Sequence, residues 1–115
     1  MDLYQQTELR DRTGVMVTGE VDMSNSQILE DYLNGVIQSE RKDLFLNLAE
    51  LSFIDSSGLA VLLNTRRLLL SFGRSLVLVS PCRLVMQVLE ITGLATVFEI
   101  DTAGRSEYSA VQASA

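Results

Sequence analysis

Leu44-Phe45-Leu46-Asn47-Leu48-Ala49-Glu50-Leu51-Ser52-Phe53-Ile54-Asp55-Ser56-Ser57-Gly58-Leu59 is the stretch on which the fold turns. Its first five residues are short and nearly all apolar, as a central strand buried on both faces of a sheet would be. Residues 49–55 read as a loop, and a helix is expected over about 57–72. Leu76-Val77-Leu78-Val79 is the next buried strand. Strand, helix and strand in that order make a crossover unit, which should be right-handed and set two parallel strands side by side.

The same alternation extends in both directions. Upstream, residues 3–10 are β-capable but polar, as edge strands tend to be. Residues 10–14 read as a hairpin turn into the β-branched run Val15-Met16-Val17-Thr18. After Gly19-Glu20-Val21-Asp22 a helix over about 24–39 is expected, with Ser24 and Gln27 at capping-box spacing. Ile28, Leu29, Tyr32, Leu33, Val36 and Ile37 form its apolar stripe. Downstream, Ser80 is a suitable N-cap and Pro81 a favoured first helical residue. Leu84, Val85, Val88 and Leu89 give that third helix its inward face, and Gly93 is placed to end it. A short strand over 97–100 follows, then a weaker helix capped by Asp101 and running through Tyr108 and Val111. Residues 112–115 are expected to fray. The string is β-β-α-β-α-β-α-β-α, an α/β fold with a mainly parallel sheet and an N-terminal hairpin strand. The whole chain, 1–115, is expected to be one domain with an ordered core over about 4–105.

Composition removes several functions. Nine basic against fifteen acidic side chains give a formal charge of −6, and only Arg41-Lys42 and Arg66-Arg67 approach a basic patch, so no nucleic-acid partner is expected. With no histidine, neither a Ser-His-Asp triad nor a histidine-ligated zinc site can be built from this chain. The lone Cys82 cannot pair within the chain and suits a reducing cytoplasm. The seven glycines are never closer than five residues apart, which excludes GxGxxG, and Lys42, the only lysine, follows no glycine-rich loop. No signal-peptide pattern or membrane-spanning run is read, and no membrane association is expected. Catalysis, a resident metal and a resident cofactor are all unexpected. Met23, Met86 and Cys82 are expected to fill core space rather than react.

Chemistry concentrates where the second helix begins. One reading of Asp55, Ser56 and Ser57 is that they simply cap the helix, since Asp and Ser are favoured there. The other is that a hydroxyl receives a phosphate, which the positive end of a helix tolerates. Both hold if one serine caps and the other is modified. The second helix is also richer in leucine than one inward stripe requires. Either neighbours bury much of its circumference, or some of these residues, Leu62 among them, stay exposed as a partner contact rimmed by Arg66 and Arg67.

Asp55-Ser56-Ser57-Gly58-Leu59, preceded by Leu46-Asn47-Leu48 and Leu51-Ser52-Phe53-Ile54, resembles the phosphorylation loop of the STAS family, most closely that of bacterial anti-sigma factor antagonists. Thr18-Gly19-Glu20-Val21-Asp22 resembles the family's Gly-Glu-(Leu/Val)-Asp loop, and Thr92-Gly93-Leu94 before Val97-Phe98 its Ser/Thr-Gly-Leu segment. Three segments in order make the likeness specific, and it runs over about residues 4–105.

The resemblance implies a partner-switching regulator. The unphosphorylated chain would bind an anti-sigma factor that is also a serine kinase, freeing a sigma factor. Phosphorylation of Ser56 would end that binding, and a PPM-type serine phosphatase would restore it. ATP and magnesium would belong to the kinase, and the free chain would be a cytoplasmic monomer. By the same likeness Glu20, Asp22, Asp55, Ser56, Ser57, Gly58 and Leu59 form the partner-binding loop, with Ser57 a secondary acceptor or cap. Asp22 should approach the Ser56 loop in space, to bond with it or with the partner, or else cap the first helix. The alternatives are a STAS scaffold with no phosphorylation cycle, and a module that senses a small ligand or nucleotide.

Overall fold

The computed structural model describes residues 4–8 and 11–102. Its elements run β1 (Tyr4–Glu8), β2 (Arg12–Val17), β3 (Gly19–Val21), α1 (Ser26–Ser39), β4 (Asp43–Asn47), β5 (Leu51–Ile54), α2 (Ser56–Ser71), β6 (Leu76–Val79), α3 (Arg83–Ile91), a 3-10 turn (Leu94–Thr96) and β7 (Glu99–Asp101). Five strands form one sheet in the order β1-β2-β4-β6-β7. Only the β1–β2 hairpin is antiparallel; β2–β4, β4–β6 and β6–β7 are parallel. The mainly parallel sheet and the hairpin entry are as the residue pattern requires. Asp101, expected to cap a last helix, instead ends β7, and residues 103–111 and the tail lie outside the described residues.

The segment expected to be a loop, 49–55, instead contains a strand. β5 pairs in parallel with β3 to make a separate two-stranded sheet, with Val21 opposite Ile54. Both strands are too short to show an alternating pattern, and side chains reinforce them. Ser52 Oγ donates to the carbonyl of Gly19 at 3.0 Å, and the register shifts at Gly19/Glu20, where Gly19 has a φ of 85°.

The core lies between these sheets and the helices. All four residues of β6 are buried, as expected, whereas in β4 only Leu44 and Leu46 are. Phe45 on β4 is half-buried, with the guanidinium of Arg12 5.1 Å from its ring centre. One helix stripe is narrower than the sequence suggests: Leu29, Leu33, Val36 and Ile37 point inward from α1, but Ile28 is 55% exposed. On α3, Val85 and Leu89 are buried while Leu84 stays exposed, one position off the inward face. Met86 and Cys82 pack against the core as expected.

Helix starts differ from their sequence signals for local reasons. The Ser24–Gln27 capping box does not form; Asn25 occupies the N-cap of α1, and Ser24 turns back onto Asp22. Ser80 and Pro81 do not open α3. Ser80 takes a φ of 53° and donates its amide to the carbonyl of Asp101, so the N-cap position falls two residues later, at Cys82. Gly93 ends α3 as expected, in the left-handed conformation that side chains disfavour. The following turn takes up 94–96, which delays the last strand from 97–100 to Glu99–Asp101.

Candidate functional site

The site is assembled where two parallel strands end together. Because Val21 and Ile54 are register partners, the residues that follow them, Asp22 and Asp55, leave the small sheet at the same end. The amide of Asp55 donates to the carbonyl of Val21 at 3.2 Å, which ties the two exits directly. The expected approach of the Asp22 loop to the Ser56 loop is thus met through backbone pairing.

Asp55 is the N-cap of α2, and Ser56 is the helix's first residue. Oδ1 of Asp55 accepts the amides of Ser57 at 2.9 Å and Gly58 at 3.2 Å, and the hydroxyl of Ser57 at 2.6 Å. Two of the helix's otherwise unpaired amides are therefore already satisfied by a carboxylate. Ser57 is half-buried and committed to this cap. Ser56 is exposed, and among the described residues no hydrogen bond holds its hydroxyl. The two serines that sequence leaves ambiguous thus have different environments.

The Ser57 hydroxyl, more than any other group, holds the Asp55 carboxyl below its ordinary range. Partial burial opposes this, while the amides of Gly58, Ser57 and Met23 add to it. A carboxyl lowered by folding stabilises the fold above its unfolded pKa, and that stabilisation is lost as pH falls through the folded value. Asp55→Ala should lower the melting temperature at pH 7 by roughly 2–8 °C, the span for a lost cap. The gap between variant and wild type should be smaller at pH 2, toward which the wild-type carboxylate takes up its proton and the cap loses its charge. Thermal melts at the two pH values check this, and an unchanged gap would contradict it.

Gly58 is needed for close approach rather than for an unusual backbone angle. A Cβ placed there would lie 2.6 Å from Cγ1 of Ile54 and 2.9 Å from Cγ1 of Val21, closer than carbon atoms pack. The first turn of α2 therefore rests directly on the ends of β3 and β5. Gly58→Ala should cost about 1–2 kcal/mol despite the roughly 1 kcal/mol that alanine gains in a helix. A thermal melt reads this as a drop of several degrees, and a rise in melting temperature would contradict it.

Asp22 makes a local turn. Its Oδ1 accepts the amide of Ser24 at 2.9 Å and also the Ser24 hydroxyl. Asn25, which the sequence did not single out, closes the turn: Oδ1 accepts the amide of Asp22 at 2.9 Å and Nδ2 donates to Glu20 at 2.8 Å. Asn before a helix is the only sequence signal for it. Glu20 is exposed opposite Phe53. Met23 was expected in the core but is 82% exposed, because it sits in this turn. Leu62, expected at a partner rim, is 2% exposed and belongs to the core. Gly58 and Leu59 are buried as well, so their side of the loop faces inward; Arg66 is half-buried.

Among the described residues no group of three or more acidic or cysteine side chains is placed to hold a metal. No helix of the described residues is long and apolar enough to cross a membrane.

Comparison with known proteins agrees with this geometry. The STAS domain family model matches residues 4–107. The anti-sigma-B factor antagonist of Staphylococcus aureus strain NCTC 8325 / PS 47 is 28% identical over 102 residues, covering 88% of this chain and 94% of the relative. The fold resembles that of an anti-sigma factor antagonist from Mycobacterium paratuberculosis, with a TM-score of 0.81, 23% identity, and 95% and 92% of the two chains covered. It also resembles the Bacillus cell fate determinant SpoIIAA in its phosphorylated form, with a TM-score of 0.66, 22% identity, and 87% and 92% covered. With the β-hairpin entry, the paired β3 and β5 exits and the Asp55-Ser56-Ser57-Gly58 turn in place, the chain belongs to the STAS domain family.

Proposed function

We propose that this chain is an anti-sigma factor antagonist switched by phosphorylation at Ser56. In its unphosphorylated form it binds an anti-sigma factor serine kinase and so frees a sigma factor. The kinase, using its own ATP and magnesium, phosphorylates Ser56 and is released, and a PPM-type serine phosphatase resets the cycle. The chain acts by binding, as a cytoplasmic monomer, and performs no catalysis.

The observation that carries this reading is the contrast between the two serines at the start of α2. Ser56 is exposed while Ser57 is tied to Asp55. A kinase must reach its acceptor hydroxyl, and Ser56 offers one on a rigid helix end. The acidic residues Glu20, Asp22 and Asp55 lie on the two strand ends that present it. A phosphate added there enters a negatively charged neighbourhood, which supports a switch by repulsion. Sequence likeness to an anti-sigma-B factor antagonist supports the partner class.

Titrating the purified chain against the anti-sigma factor kinase of its own organism tests the reading. Without ATP a stable complex should form. With ATP and magnesium the chain should gain one phosphate, on Ser56, and the complex should dissociate. A chain that takes no phosphate, or a complex that survives full phosphorylation, overturns the switch.

A further inference from the structure

We propose that Asp55 selects the acceptor, engaging the hydroxyl of Ser57 so that only Ser56 is free to take the phosphoryl group. The inference rests on the phosphorylation switch and adds a specificity-determining residue to it. In the transfer, a serine Oγ attacks the γ-phosphorus of ATP and forms the new O–P bond. The bond from that phosphorus to the β-γ bridging oxygen breaks, ADP leaves with the electron pair, and the hydroxyl proton passes to a base on the kinase. The attacking oxygen must meet the phosphorus opposite the departing ADP. Exposed Ser56 can be presented in this way. Ser57 is half-buried, with its hydroxyl donating to Oδ1 of Asp55 at 2.6 Å, so its Oγ must break that bond and turn outward first.

Two amide contacts within α2 keep Asp55 from following Ser57 outward. The same Oδ1 accepts the amides of Ser57 and Gly58, and the Met23 amide in the β3–α1 turn also favours the charged carboxylate. The Asp55 carboxylate is thus anchored by the first turn of α2. A hydrogen bond to a charged group biases Ser57 toward the held position by about tenfold or more. The arrangement also makes Asp55 a poor base for Ser57, since the groups that hold the carboxylate lower its proton affinity.

The test maps phosphate by tandem mass spectrometry after incubation with the anti-sigma factor kinase, ATP and magnesium. Wild type should carry phosphate on Ser56, and Ser56→Ala should carry on Ser57 no more than about a tenth of that amount at the same reaction time. Adding Asp55→Ala to Ser56→Ala should raise Ser57 phosphorylation about tenfold or more, whereas adding Asp55→Asn, which retains an acceptor oxygen, should leave Ser57 at that low level. A thermal melt checks that each variant is folded. Asp55→Gly replaces Asp55→Ala if the latter is not, because glycine is itself a tolerated cap. Ser57 of Ser56→Ala taking phosphate about as readily as Ser56 of wild type overturns the selection by Asp55. So does Ser57 phosphorylation left unchanged after the cap is removed, provided wild type is phosphorylated on Ser56. Wild type without phosphate overturns the switch itself and the selection with it.

Discussion

Leu62→Ala should lower the melting temperature by about 8–20 °C while leaving partner affinity per folded molecule within about twofold. Leu62 is 2% exposed on α2 and shares the core with Leu29 and Leu33 of α1 and Leu69 of its own helix. Truncating a buried leucine removes its transfer free energy and leaves a cavity, together about 2–5 kcal/mol. In a domain of this length each kilocalorie moves the midpoint by about 4 °C. A leucine at an exposed rim would behave in the opposite way, with stability nearly unchanged and affinity falling. Thermal melts paired with a titration against the kinase separate the two. An unshifted midpoint would place Leu62 back on the surface.

The richness of leucine in α2 could be read from sequence, but its allocation could not. Leu59, Val61, Leu62 and Leu69 are buried, Leu63 and Leu68 pack against the core in part, and Leu70 is exposed. This helix packs on α1 while touching β5 and β6, so neighbours cover more than one stripe of it. Period alone does not say which flank is covered. The mainly parallel sheet with its hairpin entry was legible because apolar β6 and the β1–β2 hairpin carry local signatures. The small β3–β5 sheet was not, since Gly-Glu-Val and Leu-Ser-Phe-Ile become strands only by pairing with each other across the whole of α1 and β4. Met23 follows from the same omission: once β3 ends at Val21, residue 23 lies in an exposed turn.

The acceptor loop was legible in kind and not in detail. Asp and Ser at a helix start announce a cap, yet sequence does not assign the cap to Asp55, the bound hydroxyl to Ser57 and the exposed one to Ser56. That assignment depends on where Oδ1 points, which the strand ends fix. It also changes the electrostatic argument. The positive end of α2 was expected to offset part of the charge of a phosphate. Asp55 already occupies the amides of Ser57 and Gly58, so less of that compensation is left for a phosphate on Ser56.

Phosphorylated Ser56 should bind the kinase a few hundredfold more weakly than the unmodified chain. The phosphate adds about −1.5 to −2 charges near neutral pH, against a chain whose formal charge is already −6. Burying such a group at an interface without a partner cation costs several kilocalories, and a loss of roughly 3–4 kcal/mol corresponds to the stated weakening. Ser56→Asp carries one charge on a shorter side chain and should lose about tenfold. Ser56→Ala removes one exposed hydroxyl and should stay within about threefold of wild type. The sign of the pH effect follows from the second ionisation of the phosphate, which lies near pH 6 and is raised by neighbouring carboxylates. As pH falls from 7.5 to 5.5 the phosphate passes toward the monoanion, so the penalty for the phosphorylated chain should shrink toward that of Ser56→Asp. Calorimetric titrations of the four proteins at both pH values read this out. If Ser56→Asp and Ser56→Ala bind alike, and the phosphorylated chain is weakened equally at both pH values, charge is not what breaks the complex and steric exclusion by the phosphate is left to do so.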